Sequence, residues 1–136
     1  MRLRTICKSK IHQATVTETN IEYVGSIAID EDLLRRADIL PGEKVHIWNL
    51  NNGERIETYA LPAAAGSGRI IVNGAAARRC SPKDRIIIAT FVLTDEPVSP
   101  RMILVDAQNR FSGNLTDNHD PAVPTSGLTD PADQSA

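Results

Sequence analysis

The sequence predicts a mainly β protein, and most simply a small, closed β-barrel with one or two short helices. Several short apolar or alternating runs are separated by turn signals, which is typical of such folds. Helical periodicity is absent outside residues 30–40. The chain has 136 residues, of which 41% are hydrophobic and only 4% aromatic. That length suits a single domain, and the composition predicts an aliphatic core of Ile, Val, Leu and Ala.

Two strand signals open the chain. The run HQATVTE, residues 12–18, alternates as a half-buried strand does. The run IEYVGSIAID, residues 21–30, is typical of a buried strand but is interrupted by Gly25 and Ser26. Glycine weakens a strand and often marks a bulge or a close approach to the backbone, so this pair needs an explanation.

One short helix is predicted in DEDLLRRADILPGE, residues 30–43. Asp30 is a suitable N-cap, and Pro41-Gly42 ends the segment. The apolar face of this helix consists of Leu33, Leu34 and Ala37.

The second half of the chain is strands again. KVHIWNL (44–50) and RIETYAL (55–61) flank NNG, a strong hairpin signal. GRIIVNGAAA (68–77) predicts a strand that ends in a turn of small residues. RIIIATFVL (85–93) is continuously apolar, which predicts a strand buried on both faces.

Charge and composition divide the chain at about residue 115. Residues 116–136 contain three prolines and four aspartates but no Lys or Arg, so we expect a disordered acidic tail. Residues 1–115 then form the folded domain and carry 15 basic and 13 acidic residues, a net charge of about +2. This bias suits small anions and is too weak to predict binding to nucleic acid.

Several classes of protein lack support in this sequence. The basic N-terminus has no apolar run typical of a signal peptide, and no stretch approaches the roughly 20 apolar residues of a membrane span. A cytoplasmic protein without a membrane partner is therefore expected. Cys7 and Cys80 are expected to be ordinary thiols. No metal site is predicted, because the histidines lie far apart at positions 12, 46 and 119.

Taken singly, the candidate functional residues have ordinary interpretations. A Gly-Ser pair in a strand is usually a bulge, and Ser26 is not a nucleophile elbow, because no helix follows it. Lys10 and His12 share one face of a strand, which is more often solvated than functional. Surface or packing roles are equally ordinary for Arg55, for Tyr59 and for the turn at residues 73–77.

Together, these residues form motifs that resemble a known family. KSKIHQATVTETNIEYVGSIAID (8–30), VHIWNLNNGERIETYA (45–60), RIIVNGAAA (69–77) and DRIIIATFV (84–92) resemble segments of the pyruvoyl-dependent aspartate 1-decarboxylases, in the same order. The resemblance covers residues 1 to about 95 and departs from the family in the loop around Gly66–Gly68.

The resemblance implies a double-psi β-barrel and a homotetramer with its active sites at subunit boundaries. It also implies decarboxylation of L-aspartate to β-alanine and CO2 for pantothenate and coenzyme A synthesis. The cofactor would be a pyruvoyl group made from Ser26, which forms a Schiff base with the substrate amine. Autocatalytic cleavage between Gly25 and Ser26 would convert a zymogen into chains 1–25 and 26–136. Glycine suits position 25 because it has no Cβ to obstruct attack and tolerates unusual dihedral angles.

The resemblance also implies individual residue roles. Thr58 would position the Gly25 carbonyl and later contact substrate, and Tyr59 would be the proton donor. Arg55 and Lys10 would neutralise the two substrate carboxylates. The resemblance implies that Asn73, Gly74, Ala75 and Ala76 contact the cleavage site and substrate, with His12 and Trp48 in supporting roles.

Three alternatives remain open from the sequence. The barrel could be a binding module, although its near-neutral charge and few aromatics disfavour nucleic acid. It could be a family member that never cleaves itself. It could also decarboxylate a different acidic amino acid, such as glutamate, because pocket length decides that preference.

Overall fold

The computed structural model describes residues 1–115, and the acidic segment 116–136, for which disorder is predicted, lies outside the described residues. The described chain forms nine strands, one α-helix and one 3-10 helix. The strands are β1 (Arg4–Thr15), β2 (Glu18–Asn20), β3 (Ser26–Asp30), β4 (Lys44–Asn49), β5 (Arg55–Ala63), β6 (Ile70–Asn73), β7 (Arg85–Thr94), β8 (Arg101–Val105) and β9 (Phe111–Leu115). The α-helix, α1, spans Glu31–Ala37, and the 3-10 helix spans Gly74–Arg79.

All nine strands belong to one strongly curved sheet with the order β2-β6-β3-β5-β4-β7-β1-β8-β9. Strand β5 joins its two halves, because residues up to Tyr59 pair with β4 and residues from Ala60 pair in parallel with β3. Strand β1 pairs antiparallel with β7 and parallel with β8. Within residues 1–115, β2 and β9 are not paired with each other, so hydrogen bonds do not close the barrel. The prediction of a small, mainly β barrel is confirmed, but its expected closure is not.

The inner face of the sheet surrounds one aliphatic core, as the composition predicts. Fully buried side chains come from both halves of the sheet and from α1. They include Ile11, Ile27, Ile29, Leu33, Ile47, Ile70, Ile86, Ile88 and Ile103. With so few aromatic residues, β-branched side chains supply the packing, and these suit strands.

The predicted helix and hairpin are both present. Helix α1 follows its N-cap Asp30 and buries Leu33, Leu34 and Ala37. It ends at Ala37, before Pro41-Gly42, because Asp38 adopts a left-handed conformation with φ of 59°. Strands β4 and β5 pair antiparallel on either side of the NNG turn.

The structure corrects several strand boundaries. Strand β3 begins at Ser26, whereas residues 21–25 form a turn and contribute no strand. Strand β7 is well buried only up to Thr90, and Leu93 near its end is 62% exposed, so burial on both faces holds for part of it. The turn expected after Asn73 is a 3-10 helix. The sequence predicted neither β8 nor β9, and it missed the start of β1 at Arg4.

Asp30 is the main polar anchor inside this architecture. Its buried carboxylate accepts backbone N–H bonds from Asp32, Gly66 and Gly68, each at 2.9 Å. The carboxylate thus caps α1 and holds the loop before β6. On the other side of that loop, the Asn109 side chain donates to the Gly68 carbonyl at 2.9 Å. The loop around Gly66–Gly68, in which the chain departs from the family resemblance, is therefore held to the rest of the fold by hydrogen bonds on both sides.

Replacing Asp30 should test this anchor. We expect Asp30→Ala to lower the free energy of unfolding by about 3 kcal/mol, because a helix cap and two further charge-assisted hydrogen bonds are lost. Asp32→Ala is the matched control, since it removes only an exposed pair with Arg36 and a first-turn negative charge, together worth about 1 kcal/mol. Urea unfolding followed by circular dichroism measures both. Equal losses in the two variants would contradict the anchoring role.

Candidate active site

The Gly25-Ser26 junction lies where the turn at residues 21–25 enters β3. Ser26 is fully buried, and its φ is 147°. An L-residue adopts such a dihedral angle rarely, at a cost on the order of 1–3 kcal/mol. Backbone strain is therefore concentrated at the residue predicted to attack the preceding peptide carbonyl.

The structure corrects the conformational reason for glycine at position 25. The unusual φ belongs to Ser26, and Gly25 does not have a positive φ. A Cβ built on Gly25 meets no described atom within 4 Å outside the adjoining residues. Neither a positive φ nor contact with the surrounding fold therefore requires glycine at this position.

The glycine that the geometry requires is Gly74. It opens the 3-10 helix with φ of 68°, and an added Cβ would lie 2.7 Å from Gly25 Cα and 2.9 Å from Gly25 N. The same Cβ would approach the Tyr23 carbonyl oxygen to 3.2 Å. The backbone at Gly74 therefore lies directly against the junction, where any side chain would displace it.

Asn73 holds the Ser26 hydroxyl. It is the last residue of β6, opposite Ser26 in the β3–β6 pair, and it is buried. Its Nδ2 donates to Ser26 Oγ at 3.3 Å, and its side chain does not cap the 3-10 helix that follows. The hydroxyl thus has an oriented donor beside it and keeps its own proton for a further acceptor.

Thr58 and Tyr59 approach the junction from β5. Ile27 pairs with Ala60 in the parallel β3–β5 register, so Ser26 and Tyr59 occupy the preceding positions on neighbouring strands. Strands of one sheet lie about 4.8 Å apart, so this register predicts that the backbone of Tyr59 lies near that of Ser26. Tyr59 is 38% exposed and Thr58 is half-buried.

The first two alanines of the 3-10 helix differ, since Ala75 is exposed and Ala76 packs against the core.

A cleft of about 310 Å³ opens beside Ser26. Asn73, Ile71 and Arg69 line it from alternate positions of β6 and the residue before it, and Ala28 lines it from β3. Leu61 and Pro62 of β5 and the residues Glu18, Asn20 and Tyr23 complete the wall. Arg69 forms an ion pair with Glu18 at 2.8 Å. The sequence missed Arg69 and Glu18, because their proximity depends on the long-range pairing of β2 with β6.

Arg55, Trp48 and Lys10 form a second cluster, of which Arg55 and Trp48 line a different cleft. The Arg55 guanidinium lies 4.5 Å from the centre of the Trp48 ring, and Lys10 Nζ lies 5.9 Å from it. His46 and Phe91 pack edge to face with ring centres 5.1 Å apart beside them. This cleft measures about 350 Å³, and none of the described residues that line it also lines the Ser26 cleft.

Lys10 and His12 flank the buried Ile11 on β1, as the two-residue period predicts. Lys10 pairs with Ala89 of β7, whose other neighbour is His46 of β4. Both ring nitrogens of His12 are buried, and His12 pairs with Leu104 of β8. Of these two residues, Lys10 contributes to the Trp48 cluster.

The carboxylate of Glu57 lies among cations at the second cluster. Lys44, at 3.0 Å, and His46, at 3.8 Å, hold the pKa of the Glu57 carboxyl below its usual value. Glu57 therefore stays ionised at neutral pH, opposed by Lys10, Lys44 and Arg55. Such a surface is suited to an anion with more than one negative group.

Other sites in residues 1–115 offer less chemistry. Cys7 and Cys80 are free thiols whose pKa values are raised, chiefly by burial, as expected of ordinary cysteines. Within this range, no three His, Cys, Asp or Glu side chains are grouped as metal ligands. The helices found here are all too short or too polar to cross a lipid bilayer.

Comparison with known proteins identifies relatives of this chain. The family model described as aspartate decarboxylase matches residues 1–112. An aspartate 1-decarboxylase of Albidiferax ferrireducens is 54% identical over 112 residues, which cover 79% of this chain and 83% of that protein. Those of Acaryochloris marina and Laribacter hongkongensis are 55% and 53% identical, over 79% of this chain and 85% and 88% of theirs.

The match extends across the Ser26 cleft, the Trp48 cluster and strand β8, beyond the limit at about residue 95 that the sequence motifs indicate. At this identity and coverage, the chain belongs to the aspartate decarboxylase family.

Proposed function

We propose that this protein is a cytoplasmic, pyruvoyl-dependent L-aspartate α-decarboxylase that supplies β-alanine for pantothenate and coenzyme A synthesis. Relatives that are more than half identical are named aspartate 1-decarboxylase. The proposal rests on the buried Ser26. Its φ of 147° strains the Gly25-Ser26 junction, and the Gly74 backbone packs against that junction.

The pyruvoyl group would arise from the chain itself. Ser26 Oγ attacks the Gly25 carbonyl carbon, the C–N bond breaks, and the peptide becomes an ester with a free amine on Ser26. Loss of the Ser26 Cα proton then breaks the Cβ–Oγ bond, which releases residues 1–25 with a Gly25 carboxylate and leaves dehydroalanine. Tautomerisation and hydrolysis consume one water, release ammonia and leave a ketone at the new N-terminus of residues 26–136.

The described residues fit this maturation. The strained φ of Ser26 favours conversion of the Gly25-Ser26 amide to the ester, because breaking that peptide bond relieves the strain. Asn73 orients the attacking oxygen by its hydrogen bond at 3.3 Å. Thr58, half-buried on β5 next to Tyr59, would donate to the oxyanion that forms on Gly25. The short approach of Gly74 limits movement of Gly25 away from the hydroxyl.

In the mature enzyme, a ketone made from Ser26 would supply the carbonyl that binds the substrate amine and the electron sink that decarboxylation needs. The remaining tasks belong to side chains of this chain. Tyr59, one residue before the β5 position that pairs with Ile27, would return a proton to the substrate Cα, and a phenol does so without introducing a permanent charge. Backbone N–H groups of the Gly74–Ala76 turn are suited to holding a carboxylate oxygen near Ser26.

We further propose that a second copy of the chain completes each site, within a homotetramer. Arg55 and Lys10 are assigned to the substrate carboxylates, yet within one subunit neither lines the Ser26 cleft, and Arg55 lines a separate one. Arg55 precedes Tyr59 by four residues, about 13 Å along β5, and its guanidinium lies over Trp48. A neighbouring subunit that presents its Trp48 cluster to the Ser26 cleft would bring both sets of residues to one substrate.

Intact mass spectrometry under denaturing conditions tests the maturation. We expect two chains divided between Gly25 and Ser26, with a combined mass equal to the precursor plus one water minus one ammonia. Ser26→Ala should remain a single chain and release no β-alanine, because the attacking hydroxyl is absent. Cleavage of Ser26→Ala at the same bond would refute the mechanism, and a gain of water without loss of ammonia would mean ordinary hydrolysis.

Gly74→Ala tests the close approach to the junction. The new Cβ must displace Gly25, so we expect cleavage to slow by at least about tenfold, as a barrier increase of 1.4 kcal/mol implies. Gly53→Ala is the matched control, because Gly53 also has a positive φ, of 76°, but an added Cβ there meets nothing within 4 Å. The fraction of uncut chain at fixed times measures both. Equal cleavage rates in the two variants would contradict the role of Gly74.

Mixed oligomers test the shared site. Ser26→Ala and Arg55→Gln should each be nearly inactive alone, for different reasons. Co-expressed in one oligomer, they should regain activity at up to about a quarter of the sites, where an intact Ser26 meets an intact Arg55 of a neighbour. If the co-purified mixed oligomer is no more active than the single variants, Arg55 does not act across a subunit boundary.

A further inference from the structure

Arg55, which is assigned to a substrate carboxylate, has two acidic residues close to it in sequence. Glu54 precedes it, and Glu57 lies two residues later, on the same outward face of β5. A carboxylate so near a guanidinium is attracted to it and would compete with a bound anion. In this structure, however, Glu57 pairs with Lys44 at 3.0 Å, and Glu54 pairs with Arg79 at 3.0 Å.

We propose that Lys44 is a positioning residue for the Arg55 site. It holds the Glu57 carboxylate away from Arg55 and so leaves that guanidinium open to a carboxylate of the substrate. The inference rests on the proposed decarboxylase function and deepens it, because it names the ion pair that sets the affinity of the site. Glu57 is the competing anion, and Lys44 withholds it.

The strand register places Glu57 between the two cations. In the β4–β5 pair, His46 lies opposite Glu57, and Lys44 lies opposite the position two residues beyond it. Arg55 lies two residues before Glu57, and positions two apart on a strand face the same side at a spacing of about 7 Å. The Glu57 oxygens lie 3.0 Å from Lys44 Nζ and 3.8 Å from His46 Nδ1. The carboxylate is therefore directed across to β4 rather than along β5 toward Arg55.

The guanidinium of Arg55 is available to a ligand from solution. Arg55 is exposed, and its guanidinium carbon lies 4.5 Å from the centre of the Trp48 ring. A cation–π contact does not occupy all five N–H donors of a guanidinium, and two parallel donors match the oxygens of a carboxylate. Glu57 is the one acidic residue among the described residues that line the same cleft, so it is the local competitor for those donors.

Two effects of Lys44 on an anionic substrate differ in how they depend on Glu57. A general attraction by the positive charge of Lys44 would be lost in Lys44→Gln whether or not the Glu57 carboxylate is present. Release of Glu57 onto Arg55 needs that carboxylate, so its effect disappears in Glu57→Gln. The first effect predicts additive changes in a double-mutant cycle, and the second predicts non-additive changes.

The experiment measures KM and kcat for L-aspartate, by release of β-alanine, on protein whose cleavage has been verified by intact mass. We expect Lys44→Gln to raise KM about threefold, within the worth of one exposed ion pair, with kcat within about twofold. Glu57→Gln should restore KM to near the wild-type value in Lys44→Gln but change it less than about twofold in the wild-type chain. Lys44→Arg should keep the wild-type KM, because it keeps the ion pair.

Arg36→Gln is the matched control. It removes the cation of another exposed ion pair, with Asp32 at 3.0 Å on helix α1. The net charge therefore changes as in Lys44→Gln, but the change lies outside the Ser26 cleft and the Arg55 cleft. The KM of this variant should equal that of the wild-type chain.

A second readout does not depend on turnover. In uncut Ser26→Ala protein labelled with 15N, Lys44→Gln should shift the Arg55 Nε–H resonance, because Glu57 then pairs with that guanidinium. Adding Glu57→Gln to the same protein should reverse the shift. The resonance is assigned by its loss in Arg55→Gln.

Three results would overturn the inference: a KM for Lys44→Gln equal to that of Arg36→Gln, additive effects of Lys44→Gln and Glu57→Gln on KM, or an Arg55 resonance that Lys44→Gln leaves unmoved or moves regardless of Glu57. Failure of the proposed function looks different, since the wild-type chain would then remain uncut or release no β-alanine, while the Arg55 resonance still reports on the ion pair.

Discussion

There is no room for a Cβ atom at position 74, because it would lie 2.7 Å from the Cα of Gly25. This close contact constrains the backbone of the whole candidate site. The first residue of the 3-10 helix lies against the turn that leads into β3, so the turn has little freedom to move. The strain of this arrangement falls on Ser26, whose φ of 147° is unusual for an L-residue. The pairing of β3 with β6 holds that strain in place, because the fully buried Ile27, Ile29, Ile70 and Val72 pack below it. A well-packed aliphatic core thus supports a locally unfavourable backbone.

Charge is divided between two clefts in each subunit. The Ser26 cleft contains the Ser26 hydroxyl and one compensated cation, Arg69, whereas the Trp48 cluster brings Arg55 and Lys10 to one ring, with Glu57 lining the same cleft as Arg55. A substrate with two carboxylates needs more positive charge than the Ser26 cleft supplies alone. This division is the physical basis of the proposal that a second copy of the chain completes the site, since neither cleft by itself contains both Ser26 and Arg55.

Local signals predicted the elements that depend on local interactions. The Asp30 cap and the apolar face of Leu33, Leu34 and Ala37 predict α1 correctly, because capping and helical periodicity act within a few residues. The NNG turn likewise predicts the β4–β5 hairpin. Local signals were misleading at residues 21–25, where apolar side chains resemble a strand but form a turn with Tyr23 and Val24 exposed. They were also silent on β8, whose pairing with β1 joins residues about 90 apart, and on β9, which pairs with β8.

The candidate site shows more clearly how far prediction from local sequence signals can go. The sequence by itself determined the β architecture, the aliphatic core and, through its motifs, the residues Ser26, Tyr59, Asn73 and Arg55 as candidates. Only the tertiary structure decided that the strained dihedral angle belongs to Ser26, that Gly74 rather than Gly25 is the sterically required glycine, and that Arg69 with Glu18 shares the cleft. The reason is physical: motifs report residue types along the chain, whereas close approach and strain arise from the register between strands that are distant in sequence.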